Sequence, residues 1–320
     1  MTAAEFFKKP SVTGITAGIV ARFTSRTDIV FGKILLNYIS PMFLAFLETF
    51  TAMIMMFFYM GIKQIIIRLR ELEKSELSAL TICSILSGVI GPLFFLQGLN
   101  QTSGINTSII VNLNPVFMSI FAVMILREEF TKNLLIGMLT LFTAMVFLGT
   151  EGFTKSIHFR IGDIYLIISA IGYSFGNILF KKYIHSRHLD VLVAYRTIVS
   201  SLIFGGIMWF FMREDLNNFV SHFQNYYQWI LFYALIGIIV TYALQYWALE
   251  NTSLINNALI AVSSPIIGIV YSNIFLKEQI TLVHLGTIVL VVIGLIITKI
   301  DLIEKTLFDM KMRLRQTHNG

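Results

Sequence analysis

The chain has 320 residues, of which 56% are apolar or aromatic and only 13% charged, and its mean hydropathy is +0.77. Soluble domains carry roughly a quarter charged residues, so a water-soluble, disordered or secreted disulfide-rich protein is excluded and an integral membrane protein is indicated. The net charge of +6 requires no nucleic-acid partner, because membrane proteins concentrate lysine and arginine in cytoplasmic loops.

A transmembrane helix needs about 20 mostly apolar residues. Ten hydrophobic runs meet or approach that length. The first covers 12–36 and is interrupted by Arg22, Arg26, Asp28 and Lys33. The next four cover 41–67, 77–99, 105–126 and 134–149. The second five cover 163–180, 191–212, 229–249, 255–276 and 282–300. No linker is long enough for a soluble domain, and the N-terminal stretch with Glu5, Lys8, Lys9 and Pro10 does not read as a cleaved signal peptide. The single cysteine, Cys83, lies in an apolar run, so it forms no internal disulfide or cysteine-based zinc site and reads as a small packing residue.

With a cytoplasmic N-terminus, 16 lysines and arginines fall on the inner side, from Lys8 and Lys9 to the tail residues Lys311, Arg313 and Arg315. Only Lys155, Arg160, Arg213 and Lys277 fall outside. This bias predicts both termini in the cytoplasm. The basic tail from Lys305 to Arg315 either lies on anionic lipid or enforces this topology.

The chain also repeats itself. At an offset of 150, Pro115 meets Pro265, Thr102 meets Thr252, Asn106 meets Asn256, Glu128 meets Glu278 and Thr131 meets Thr281. At 148, Gly14 meets Gly162 and Lys33 meets Lys181. Two copies of a five-helix unit, 1–152 and 153–320, are predicted to form one membrane domain. An odd helix count per copy makes the copies inverted, an architecture of secondary transporters with a site at the repeat interface.

Several segments carry a family resemblance. Gly162-Asp163 through Ala170, Tyr173 and Asn177 to Lys181, the ends Pro115…Leu126-Arg127-Glu128 and Pro265…Leu276-Lys277-Glu278, and Ala194-Tyr195-Arg196 stand in a recognisable order. The whole chain resembles EamA-type members of the drug/metabolite transporter superfamily. The resemblance implies ten helices and transport of small metabolites or drugs between the halves. Substrates in that family include amino acids, their derivatives and S-adenosylmethionine. Two positions depart from the pattern: Ser25-Arg26 stands where tryptophan-glycine is usual, and Glu48 where the first half usually has arginine.

Charges at membrane depth cost at least about 2.5–3.5 kcal/mol each and therefore face a cavity or one another. Arg22 and Arg26 share a helix face, which suits a basic strip gripping an anionic cargo group. Two alternatives stand beside this: an arginine pair with Glu48 that only locks helices together, or a first helix that starts after Asp28. Asp28 and Glu48 are the proton-carrier candidates, and coupling is to protons or to a counter-substrate. Tyr173, Asn177 and Lys181 form one stripe, Arg196 lies on the seventh helix, and Tyr242 and Gln245 belong to an aromatic and amide cluster. Asn112 and Ser264 precede the repeat prolines, where a freed carbonyl adds a polar group. Interhelical hydrogen bonding explains each residue equally well when taken alone.

Gly172-Tyr173-Ser174-Phe175-Gly176 matches the G-x-S-x-G of serine hydrolases, but inside a membrane helix its glycines read better as a packing face. His185 and His188 do not make a metal motif, and no Walker sequence is present. The expectation is an all-α inner-membrane transporter without cofactor or metal, a monomer or homodimer that carries a small polar solute. The rival readings are a membrane-embedded serine hydrolase and a lipid-translocating or structural membrane protein.

Overall fold

The computed structural model describes residues 12–127, 129–155, 160–183, 189–213, 219–241, 244, 247–248, 251, 260, 262–298 and 300–301. Every regular element among them is helical: α1 (Val12–Ser25), α2 (Thr27–Leu35), α3 (Pro41–Met60), α4 (Ile62–Arg70), α5 (Lys74–Gln101), α6 (Gly104–Leu126), α7 (Lys132–Gly149), α8 (Ile161–Tyr183), α9 (Leu189–Phe211), α10 (Phe219–Phe232), α11 (Ser264–Leu276) and α12 (Leu282–Ile297). Six described spans are long and apolar enough to cross a membrane: α3, α5, α6, α7, and residues Ile161–Phe180 and Val193–Phe211. Phe58, Phe142, Leu202, Phe210 and Phe211 project outward exposed, the expected arrangement where the surrounding solvent is hydrocarbon.

Helix starts follow from their side chains. Ser40 accepts the Phe43 amide at 3.4 Å, with Pro41 in the first turn of α3. Ser103 accepts from Asn106 at 3.0 Å and Thr131 from Leu134 at 3.1 Å. Thr281 and His284 cap each other reciprocally, which accounts for a histidine at the start of α12. Each bond satisfies an amide that has no partner within its own helix.

Three predicted spans differ in the structure. The first is two helices, because α1 ends at Ser25 and α2 restarts after Arg26. There Thr24, Ser25 and Thr27 donate to carbonyls three residues back, and such back-bonding competes with the regular ladder. The second ends at Met60 instead of continuing to 67. Gly61 takes φ +75°, a conformation open to glycine, and the short α4 follows with only Ile65 buried. Basic Lys63, Arg68 and Arg70 alternate there with Ile62, Ile66 and Ile67, the pattern of a helix lying along a membrane interface. The eighth run starts earlier, at Phe219, and becomes π-helical over Tyr233–Val240.

A second π-helical segment, Leu86–Ile90, interrupts α5, and a 3-10 turn, Val111–Leu113, precedes Pro115 in α6. Positions 150 residues apart share local features. Arg127 and Lys277 both have φ +56°, and Thr131 and Thr281 both cap the helix that follows.

α5 packs on α8, α3 on α9, α7 on α12, and the first half of α6 on α11. The α5–α8 contact depends on missing side chains. A Cβ on Gly98 would lie 2.8 Å from the Gly162 carbonyl, and one on Gly176 would lie 2.9 Å from the Ser87 Cβ. The glycines of the apparent hydrolase motif therefore sit in a helix–helix seam. The main core, including Ile29, Leu44, Leu96, Leu99, Ile105 and Ile109, lies where α2, α3, α5 and α6 meet.

Candidate functional site

A cavity of ≈ 370 Å³ lies between α3, α5, α8 and α9, with the α1–α2 break and the Tyr233–Val240 segment on its remaining sides. This volume is in the range of small-molecule sites. α3 contributes Glu48 and Thr49, α5 contributes Ser84, Ser87 and Gly88, and α8 contributes Tyr173 and Asn177. α9 adds Arg196, Thr197 and Ser200, and the helix break adds Ser25 and Asp28. Tyr233 and Thr241 complete the polar lining. Both π-helical segments border the cavity, a placement that π-bulges favour.

The cavity's charges face one another. Glu48 interacts with the Arg196 guanidinium, the Asp28 carboxyl and the Tyr233 hydroxyl. Asp28 sits in the first turn of α2, where its Oδ1 accepts the Ile29 amide at 2.7 Å. It also interacts with Arg26. Among the described residues, the lining holds two carboxyl groups and one guanidinium.

Most lining hydroxyls are spent within their own helices. Thr49 donates to Ala45, Ser84 to Leu80 and Ser87 to Cys83, at 2.7–2.8 Å. Thr241 donates to Ile236, and also to Thr24 in α1, at 2.8 Å. Ser200 differs: among the described residues its buried Oγ has no hydrogen-bond partner, and it lies against Gly88 beside Arg196.

The cavity runs toward the end of the bundle where α5 begins and α8 finishes, since Leu80, Phe180 and Val193 line it there. At that level Thr81 and Tyr195 share a hydrogen bond of 2.8 Å, and nearer the helix starts Arg68 pairs with Asp190 at 2.8 Å. At its other end the lining stops at Phe95 and Leu96, beyond which Leu99, Ile105 and Ile109 are fully buried.

Of the residues singled out from the sequence, Tyr173, Asn177, Arg196, Asp28 and Glu48 line this cavity. Arg22 and Arg26 are not part of its lining; among the described residues their buried Nε atoms have no hydrogen-bond partner. Among the described residues no ion pair joins either arginine to Glu48. Arg26 instead approaches Gly268 of α11. Asn112 is buried and donates to the Ser108 carbonyl, and Ser264 is buried at the start of α11; neither lines the cavity. Tyr242 and Gln245 lie outside the described residues. Ser174 is fully buried and donates to the Asn114 carbonyl at 2.9 Å, an interhelical bond.

Tyr233 and Ser200 were not apparent from the sequence. Tyr233 falls in an otherwise apolar run, where aromatic residues usually mean packing. For Ser200 the available signal was its spacing of four from Arg196, one helical turn.

A multi-pass helical membrane protein with a polar, charged cavity at membrane depth is the architecture of a transporter. The model of the EamA-like transporter family matches the chain over residues 12–150 and 160–300, and the chain belongs to that family. An uncharacterized transporter of Synechocystis is 25% identical, over 73% of this chain and 68% of the relative. The uncharacterized transporter YetK of Bacillus subtilis is 24% identical, over 72% of this chain and 70% of its own. YoaV of Bacillus subtilis, also an uncharacterized transporter, is 20% identical over 78% and 84%. A solved crystal structure shares the fold at a TM-score of 0.55 and 11% identity, covering 90% of this chain and 96% of the other. These relationships support a membrane transporter.

Proposed function

We propose that the protein is a secondary transporter of the inner membrane with both termini in the cytoplasm. A small polar metabolite binds in the central cavity and is passed across by alternating access between two inverted five-helix halves. The observation that carries this reading is the cavity itself, with Glu48, Asp28 and Arg196 gathered at membrane depth. Intramembrane charges of this kind mark substrate and ion pathways.

The charge balance supports a narrower cargo. Two carboxyl groups facing one guanidinium suit a solute that bears both an ammonium or sulfonium group and a carboxylate. An amino acid, a basic amino acid derivative or a nucleoside-containing sulfonium such as S-adenosylmethionine fits this description better than a purely anionic solute. Arg196 would hold the carboxylate, and Glu48 or Asp28 the cation. Tyr173 and Asn177, one turn apart on α8, would orient it. Asp28 and Glu48 would also carry the coupling proton.

The test is counterflow by purified protein in liposomes with a labelled panel of amino acids, S-adenosylmethionine and nucleotides. Zwitterionic or net cationic solutes should exchange saturably, and Arg196→Lys or Glu48→Gln should impair them. Exchange restricted to nucleotides or other polyanions would overturn the cargo assignment.

A further inference from the structure

Beyond the closed end of the cavity, two charged side chains converge on the connection between α5 and α6. Lys33, late in α2, gives its ammonium to three backbone carbonyls at the end of α5: Leu99 at 2.6 Å, Asn100 at 3.2 Å and Thr102 at 2.7 Å. Glu278, which follows α11, accepts the amides of Gly104 at 2.7 Å and Ile105 at 2.8 Å at the start of α6. A cation thus caps the negative end of one helix and an anion caps the positive end of the next. Each comes from an element distant in sequence. Gly104 allows α11 to press close, since a Cβ there would lie 2.6 Å from the Ser272 Oγ.

We infer that Lys33 and Glu278 form the latch that keeps this end of the transporter shut, and that cargo leaves by this side only when both release the α5–α6 connection. The inference rests on the alternating-access reading above. Apolar packing such as that of Leu99 and Ile105 has no intermediate partner when it parts. Backbone carbonyls and amides at the rim, by contrast, exchange a charged side chain for water and recover it, so the contact is reversible. The second half carries the same two charges in sequence, Lys181 matching Lys33 and Glu128 matching Glu278. They enter on sequence position alone, and they make the latch's direction testable.

The native Cys83 is the only cysteine and lines the cavity near its Lys74 end. Its labelling by a charged, membrane-impermeant thiosulfonate reagent would be followed in spheroplasts and in inverted vesicles. Wild type should label faster from the Lys74 side. Glu278→Gln and, independently, Lys33→Met should raise labelling from the opposite side about tenfold, the effect of losing about 1.4 kcal/mol of charge-assisted bonding. Glu128→Gln should not raise it. Asn177→Cys in a Cys83→Ala background repeats the measurement at an exposed lining position. An unchanged side preference in both folded variants overturns the latch. Loss of folding in both also overturns it, because a gate must be able to release. Equal labelling from both sides in wild type would instead contradict alternating access.

Discussion

Replacing Gly98 with alanine tests the seam that positions the cavity wall. The new Cβ would lie 2.6 Å from the Leu166 Cγ and 2.8 Å from the Gly162 carbonyl oxygen. Carbon atoms prefer about 3.5–4.0 Å, so Leu166 must retreat by roughly an ångström. The Gly162 carbonyl is backbone and has no rotamer to escape into. α5 and α8 must therefore separate, at a cost of about 1–3 kcal/mol typical of overpacking. Alanine also gains up to about 1 kcal/mol of helix propensity over glycine, which hides part of that cost. Gly206→Ala in α9 removes the ambiguity, because a Cβ there meets nothing within 4 Å. The propensity gain cancels between the two variants, leaving the steric cost. Thermal unfolding of the detergent-solubilised proteins should place Gly98→Ala below Gly206→Ala, by an amount on the order of 2–8 °C. Equal midpoints would refute the close α5–α8 packing.

Three further outcomes follow from the site and its supports. Arg196→Gln removes the cation whose charge bears on Glu48 and should lower the thermal midpoint, whereas Arg196→Gln with Glu48→Gln should recover part of the loss, read as midpoints of the singles and the double; additive losses would show that the two do not interact. Thr281→Ala removes the α12 cap and should destabilise by about 1 kcal/mol in the same assay, while leaving solute affinity unchanged. If Asp28 or Glu48 carries the coupling proton, its amide variant should lose accumulation driven by a pH gradient yet keep exchange of labelled for unlabelled solute; loss of both would assign it to binding or folding instead.

Most of the apolar helices and five of the cavity-lining residues were legible in the sequence because their signals are local. Apolar runs between charges marked α3, α5 to α9, α11 and α12, and the charges in those runs marked Glu48 and Arg196. Register within a face was harder. Arg22 and Arg26 stand four residues apart in sequence, but the helix breaks at Arg26, and it is Asp28, just past the break, that reaches the cavity lining while the arginines do not. The 41–67 run concealed the turn at Gly61, because apolar residues continue on both sides of it, Met55 to Met60 before and Ile62 and Ile65 to Ile67 after. The π-helical segments left no composition signal, since Leu86–Ile90 and Tyr233–Val240 differ from ordinary helix only in their hydrogen-bond register. The capping roles of Lys33 and Glu278 depend on contacts between distant elements and appeared only as paired positions in the repeat.

Counterflow by the purified protein tests the central claim most directly. Liposomes preloaded with an unlabelled zwitterionic or cationic amino acid derivative should take up the labelled compound transiently above equilibrium, and Glu48→Gln combined with Arg196→Gln should abolish this while the protein remains folded. Uptake that does not saturate, or that persists undiminished in the folded double variant, would contradict transport through this cavity.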